Sequence, residues 1–291
     1  QEQHIGQLKV EKPIEVLFEG SDEEVYKPLT KDEIDKDFFD MINETIPERF
    51  AFLHVGQWGK GGLGEDRKDI SNLIKLFYET FANQKKQPAL ILKTCGATYS
   101  VMDREDCINK INQIKSYFPS DIKLPNVYLL HGDLSEDEMN YLYNHPKIKS
   151  MVTLTHGEGY GRPLQEATMT GLPVIASGWS GQLDFLNPEF SILLKGELKQ
   201  IPESVVWENI LIAESSWFIA DDNHVRGALK YMIDNINELN SKAKDLMRIN
   251  RNNFTLNNMA TKLDEIMEKY TSNLTSEVKL KLPKLKKISN K

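Results

Sequence analysis

Two glutamates eight positions apart, Glu158 and Glu166, stand in the run Thr155-His156-Gly157-Glu158-Gly159-Tyr160-Gly161-Arg162-Pro163-Leu164-Gln165-Glu166. An ionised carboxylate only accepts hydrogen bonds, which suits it to paired hydroxyls such as those of a ribose. Gly157, Gly159 and Gly161 flank the first glutamate. Lacking a Cβ, they let the backbone turn sharply and come close to a ligand. Pro163 suits the first turn of a helix, where its missing N–H costs nothing, and Gly171 fits just past the helix end. The amides near Gly159 to Arg162 then point out of a helix N-terminus, an end that favours anions by about 0.3–1 kcal/mol. Glu158 lies in the loop beside whatever these amides hold, and Glu166 lies about one turn into the helix. A ligand matching this arrangement carries phosphates in its middle and hydroxyls at both ends, as a sugar nucleotide does.

The elements that position these residues are legible around them. An apolar run, Met151 to Leu154, leads in, and Val174 to Ala176 leads out, giving strand, glycine loop, short helix, strand. Upstream, Phe50 to Val55, Ala89 to Leu92 and Val127 to Leu130 are apolar runs of strand length. Between them lie two stripes at helical spacing: Ile70, Leu73, Ile74, Phe77 and Phe81, then Cys107, Ile108, Ile111, Ile114 and Phe118. Leu134 to Asn144 reads as a short helix capped by Ser135 with Glu138 three residues on. Downstream, Ser191 to Leu194 reads as a strand, and Asp222 to Ile236 and Ala243 to Tyr270 read as helices. Asp221-Asp222 is read as a helix start rather than a metal ligand pair. Trp207, Trp217 and Phe218 are read as core. Strands alternating with helices predict an α/β fold with a doubly wound, Rossmann-like parallel sheet, whose ligand loops lie at the carboxyl ends of the strands.

A second glycine loop follows the first strand: Gly56-Gln57-Trp58-Gly59-Lys60-Gly61-Gly62-Leu63-Gly64-Glu65-Asp66-Arg67-Lys68. Gly59, Gly61 and Gly64 satisfy the dinucleotide-loop spacing. Glu65 and Asp66, however, stand where phosphates want positive charge, and no acid closes a second strand about 20 residues on. Lys60 is followed by glycine, so this is no phosphate-binding Walker loop either.

The run from Glu158 to Glu166, with seven residues between the two acids, followed by Pro173-Val174-Ile175-Ala176, resembles the signature of retaining GT-B glycosyltransferases of the group 1, family 4-like class. That resemblance implies the C-terminal, donor-binding half of a GT-B fold and hexosyl transfer from a UDP- or GDP-linked sugar, with no further cofactor and no required metal. It assigns Glu158 and Lys68 to the catalytic machinery. Donor binding falls to Arg67, Gly159, Tyr160, Gly161, Leu164 and Glu166, with Glu166 on the ribose and Glu158 on the transferred sugar. Lys68 and Arg67, with the Gly159 to Gly161 amides, face the diphosphate. His131, in His131-Gly132-Asp133, matches the loop lining the nucleobase through its backbone. Ser180 to Asp184 matches the family's turn after the last motif strand, a structural turn lining the cleft. An arginine common after the first strand is Gln57 here, which leaves Arg67 or Lys60 as substitutes. His156 is read either as positioning the sugar or as a solvent-facing loop residue.

The resemblance also divides the chain. Ile14 to Pro28 is similar to an interdomain linker, so residues 1–30 are expected to be that linker and the remnant of a missing N-terminal acceptor domain. Residues 31–240 are expected to bind the nucleotide sugar, and 241–291 to form a C-terminal helix and a basic tail. A fragment, a processed product or one subunit of a split enzyme is implied, with an unknown acceptor and a missing domain or subunit as partners. Residues 271–291 carry six lysines and one glutamate, while the net charge of the whole is −7. The strongly acidic remainder argues against general nucleic-acid binding. Alternation from Val278 to Ile288 suggests an edge strand limited by Pro283. No run of about 18 apolar residues could span a membrane. Two cysteines, Cys95 and Cys107, make neither a disulfide framework nor a metal spacing, and a cytoplasmic location is expected. Two rivals remain open at this stage. A catalytically silent nucleotide-sugar-binding module would show no turnover alone, and an NAD(P)-dependent oxidoreductase would prefer NAD(P) to sugar nucleotides.

Overall fold

The computed structural model describes residues 11–59, 61–207 and 210–272. The elements run α1 (Lys36–Thr45), β1 (Ala51–Val55), α2 (Ile70–Phe81), β2 (Ala89–Lys93), α3 (Val101–Lys115), β3 (Val127–Leu130), α4 (Glu136–Asn144), β4 (Ile148–Val152), α5 (Arg162–Met169), β5 (Val174–Ser177), β6 (Ile192–Leu194), β7 (Gly196–Gln200), β8 (Ser216–Ala220), α6 (Asp222–Asp234), α7 (Ile236–Asn253) and α8 (Leu256–Thr271). Six strands form one parallel sheet in the order β3-β2-β1-β4-β5-β6, and β7 and β8 pair as a separate antiparallel hairpin. The expected α/β class and doubly wound sheet are present.

Strand alternation feeds both faces of the sheet. Phe52, Leu90, Leu92 and Val152 pack with α2, α3 and α6, whose contributions include Phe77, Cys107 and Leu229. Ala51, Leu53, Ile91 and Met151 pack with α1, α4, α5 and α7 on the other face, through Ile42, Leu142, Leu164 and Leu246. The strand order reverses between β1 and β4, so the loops leaving their carboxyl ends diverge and open a crevice there.

Local chemistry accounts for the element ends. Ser135 accepts from the amide of Glu138, whose carboxylate returns a bond to the Ser135 amide, a reciprocal cap. Asp221 accepts from the amide of His224 at the start of α6, so its carboxylate serves the helix. Pro163 sits in the first turn of α5, and Gly171, at φ 80°, follows its end.

Several expectations need correction. The single helix expected from Ala243 to Tyr270 is two. Thr255 has an extended backbone and caps α8 through the amide of Asn258, and it bridges to Ser21 of the incoming chain. Helical periodicity continues across that break, which is why sequence spacing alone joins the two. Pairing in β4 covers Ile148–Val152 rather than Met151 to Leu154. Ile14 and Val16, at the start of the expected linker, are exposed. Trp217 and Phe218 are buried as expected, whereas Trp207 is 66% exposed in the β7–β8 connection. Helix α1 and the β7–β8 hairpin were not anticipated. Lys60 and the basic segment from Val278 to Ile288 lie outside the described residues.

Candidate functional site

The β1 loop and the β4 loop meet above the point where the strand order reverses. Lys68, just before α2, reaches across to Glu158, with Nζ 2.5 Å from Oε1. Arg67 places a guanidinium nitrogen 3.1 Å from Glu158 Oε2 and 2.8 Å from the carbonyl of Gly157. The side chains of Lys68 and Glu158 are about one-tenth exposed, while Arg67 is open to solvent. Burial alone would raise the Glu158 carboxyl, but the Lys68 ammonium and the Arg67 guanidinium reverse this and hold it below its ordinary value. Burial draws the Lys68 ammonium down against the pull of Glu158. The two expected catalytic residues are thus brought together, each neutralising the other.

The backbone of Glu158 is clamped from the β5 side. Ser180 Oγ donates to the Glu158 carbonyl at 2.6 Å and accepts from its amide at 3.2 Å, and the Gly181 amide donates to the same carbonyl. Gly181 is required by a close approach, because a Cβ there would lie 2.1 Å from the Gly159 carbonyl oxygen. Gly161, at φ 101°, turns the chain into α5. The amides of Gly159, Tyr160, Gly161 and Arg162 have no protein partner among the described residues. Donors left bare at a helix N-terminus, next to Lys68 and Arg67, form a place for anionic oxygens. The carboxylate, Lys68 and Gly161 close over a pocket of about 10 Å³, roughly the space of one water.

Glu166 is buried one turn into α5. It accepts from the Tyr143 hydroxyl at 3.0 Å and from Arg162 at 3.4 Å, and Arg162 also pairs with Glu19 of the incoming segment. Burial pushes its carboxyl above the ordinary value against these two partners. Part of its acceptor capacity is therefore engaged within the protein. Leu164 packs in the core, and its amide donates to the Gly161 carbonyl. The Tyr160 hydroxyl accepts from Gln165 and its ring packs against Phe185, on the flank of α5 where the incoming segment passes.

His131 follows β3, where its Nε2 lies 3.0 Å from Asp103 Oδ1 and its ring meets Tyr99 edge-on. Its side chain is thereby occupied, and the neighbouring Gly132 carbonyl accepts from Lys93. A cleft of about 360 Å³ beside it is lined by Gly56, Gln57, Lys93, Tyr99, Asp133 and Leu134 among others. Both readings of His156, as a sugar contact or as a solvent-facing residue, need correction. It is 2% exposed, stacks on Trp217 at 4.1 Å between ring centroids, and bonds the Phe218 carbonyl through Nδ1. It ties the unanticipated hairpin to the Glu158 loop. Sequence reasoning also missed His54, a lone polar residue in the apolar run of β1 with 0% exposure; that lone histidine among apolar neighbours was the available signal. Tyr143 left no signal, since it is distant in sequence from the Glu166 it holds, while Ser180 stands in the turn that sequence reading marked but did not connect to Glu158.

The fold is that of the C-terminal domain of group 1 GT-B glycosyltransferases. The C-terminal domain of a Francisella tularensis glycosyl transferase group 1 family protein, LpcC, superposes with a TM-score of 0.53 at 14% identity, covering 81% of this chain and all of that one. Sucrose-phosphate synthase from Thermosynechococcus elongatus gives 0.59 at 16%, with 87% of this chain and 52% of that chain covered. The Anabaena protein HepE, solved with UDP-glucose, gives 0.59 at 13%, with 88% and 57% covered. The chain thus spans about half the length of these last two. No protein-family model and no curated protein matches the sequence.

Proposed function

We propose that this chain is the donor-binding half of a glycosyltransferase that moves a sugar from a nucleoside-diphosphate sugar to an acceptor with retention of configuration. The observation that carries the reading is the meeting of Glu158 with Lys68 and Arg67 across the β1–β4 crevice, beside four unpartnered amides of the α5 N-terminus. A diphosphate takes the place of the Glu158 carboxylate on the two cations, and the freed carboxylate accepts hydroxyls of the transferred sugar. As the sugar–phosphate bond breaks, negative charge grows on the departing phosphate, and the cations and amides already face it. The departing phosphate oxygen can receive the acceptor's proton, so no separate acid–base pair is required.

In this reading Glu166 binds the ribose with the carboxylate capacity that Tyr143 and Arg162 leave free. The cleft lined by Lys93, Tyr99 and Asp133 receives the nucleobase beside His131. The fold likeness and the Glu158–Glu166 spacing support this reading, as does the presence of UDP-glucose in the HepE structure.

Calorimetric titration of UDP, GDP, their common sugar conjugates and NAD into the purified chain tests it. One sugar nucleotide is expected to bind saturably, and Glu166→Ala is expected to weaken it by about 1.5–3 kcal/mol, the scale of a charge-assisted hydrogen bond. Unchanged affinity in the variant removes Glu166 from the ribose, and a preference for NAD removes the transferase reading.

A further inference from the structure

His54 lies in β1 directly beneath the charged cluster, fully buried. Its Nδ1 is 3.0 Å from the Val152 carbonyl oxygen of the neighbouring strand. A carbonyl only accepts, so the proton sits on Nδ1 and Nε2 carries a lone pair. That Nε2 has no partner among the described residues. A buried acceptor left bare costs about 1–3 kcal/mol, so one in β1, whose other residues Ala51, Phe52, Leu53 and Val55 are all apolar, calls for an occupant.

The occupant is adjacent. Gly56 follows two residues on, and the position its Cβ would take is 3.2 Å from His54 Nε2 and 3.2 Å from Lys68 Cε. The imidazole edge and the end of the lysine chain therefore flank one small space, kept clear because residue 56 has no side chain. Lys68 spends one N–H on Glu158, and an ammonium has three. Rotation about the last bonds of the lysine carries another toward His54.

We propose that His54 is a positioning residue for Lys68: its bare Nε2 accepts an ammonium N–H and holds Lys68 toward the bound diphosphate when the donor takes Glu158 away. This rests on the donor-site reading above for the ligand, but the pairing of His54 with Lys68 does not depend on which nucleotide binds. Burial draws His54 down to about 4, so it stays neutral and able to accept at physiological pH. Lys68 and Glu158 are the charged groups around it, and Arg67 is the further one around Lys68.

Two measurements test it. Competitive amine labelling of Lys68 across pH, read by mass spectrometry and without any donor, gives its titration midpoint in a Glu158→Ala chain, where the carboxylate is gone as it is when the donor takes it, and in that chain carrying each of three His54 variants. Asparagine reproduces the Nδ1 donor toward Val152 but reaches no further, glutamine reaches the Nε2 position with an acceptor, and phenylalanine has neither. His54→Asn and His54→Phe are expected to lower the Lys68 midpoint by roughly one pH unit, a tenfold change in its protonation equilibrium, and His54→Gln to restore it. Equal midpoints in Glu158→Ala with and without His54→Asn, with matching thermal unfolding curves, overturn the proposal.

On the wild-type chain, the ¹⁵N resonance of His54 Nε2 is expected to move from a bare toward a hydrogen-bonded position when UDP or GDP is added. An Nε2 that stays bare with nucleotide bound overturns it equally, and it does so without any variant having to fold. Failure of both nucleotides to bind would instead count against the donor-site reading, while the labelling result still decides the His54–Lys68 pairing.

Discussion

Asp69 sits one residue beyond Lys68 in a left-handed conformation, φ 52°, 1% exposed, with Oδ1 unpartnered. Burial, then the nearby charge of Asp66, push its carboxyl from 3.8 up to about 8. A group raised in the folded state adds stability that is complete below its unfolded value and is lost as pH climbs through the folded one. Unfolding free energy should therefore decline between about pH 4 and 8, by up to about 1.4 kcal/mol per pH unit from this group. Asp66, also raised by burial, contributes with the same sign. Asparagine tolerates the left-handed region and carries no charge, so Asp69→Asn should flatten this decline and leave the variant the more stable protein near pH 8. Urea unfolding at several pH values checks this; an unaltered slope in Asp69→Asn would place the charge elsewhere. The same burial that makes Asp69 neutral makes the Lys68–Glu158 pair costly to break on one side only, since a lone buried charge remains.

At the scale of elements, the Glu158 loop is held by the short 3-10 turn Gly181–Asp184 after β5 as much as by its own helix. Ser180 stands at φ 80° immediately before that turn, and Gly181 has no room for a side chain against the Gly159 carbonyl. Gly181→Ala should push the two backbones apart and displace Glu158 from Lys68, lowering nucleotide affinity at least tenfold. Gly59→Ala, where a Cβ would meet nothing within 4 Å, should bind as the wild type does. Calorimetry on both, with circular dichroism to confirm folding, separates a displaced loop from lost structure, and equal affinities would show that the turn does not set the loop.

This pair also marks what the sequence made legible. Local patterns were enough for the six strands of the parallel sheet, with β4 set three residues late, for α2 and α4, for Pro163 and Gly171 bounding α5, and for the two loops that carry Lys68 and Glu158. What sequence reading missed depends on partners far along the chain. His156 is buried because the β7–β8 hairpin returns some sixty residues later to stack Trp217 on it. Likewise, the break before α8 depends on Ser21 bridging to Thr255. Periodicity reports which face of an element is buried and is silent about what covers it.

At the scale of the molecule, every group assigned to the donor lies on one side, at the carboxyl ends of the strands, supplied by the ends and loops of β1, β2, β3 and β4 and by α5. An acceptor must be held in line with the sugar, and orienting two reactants is worth about 7–11 kcal/mol of a barrier. The sucrose-phosphate synthase and HepE structures are nearly twice as long as the part this chain matches. If their additional length corresponds to an acceptor-holding half, residues 1–291 alone should bind a sugar nucleotide and transfer its sugar slowly or not at all. Binding and turnover can be read separately. Nucleotide at a hundred times its dissociation constant stabilises the folded chain by about 2.7 kcal/mol, visible as a rise in Tm, while chromatography of the same sample follows release or transfer of the sugar. A raised Tm with an intact donor is the expected result. A raised Tm with many turnovers on an added acceptor would mean that the acceptor-orienting groups lie within these residues.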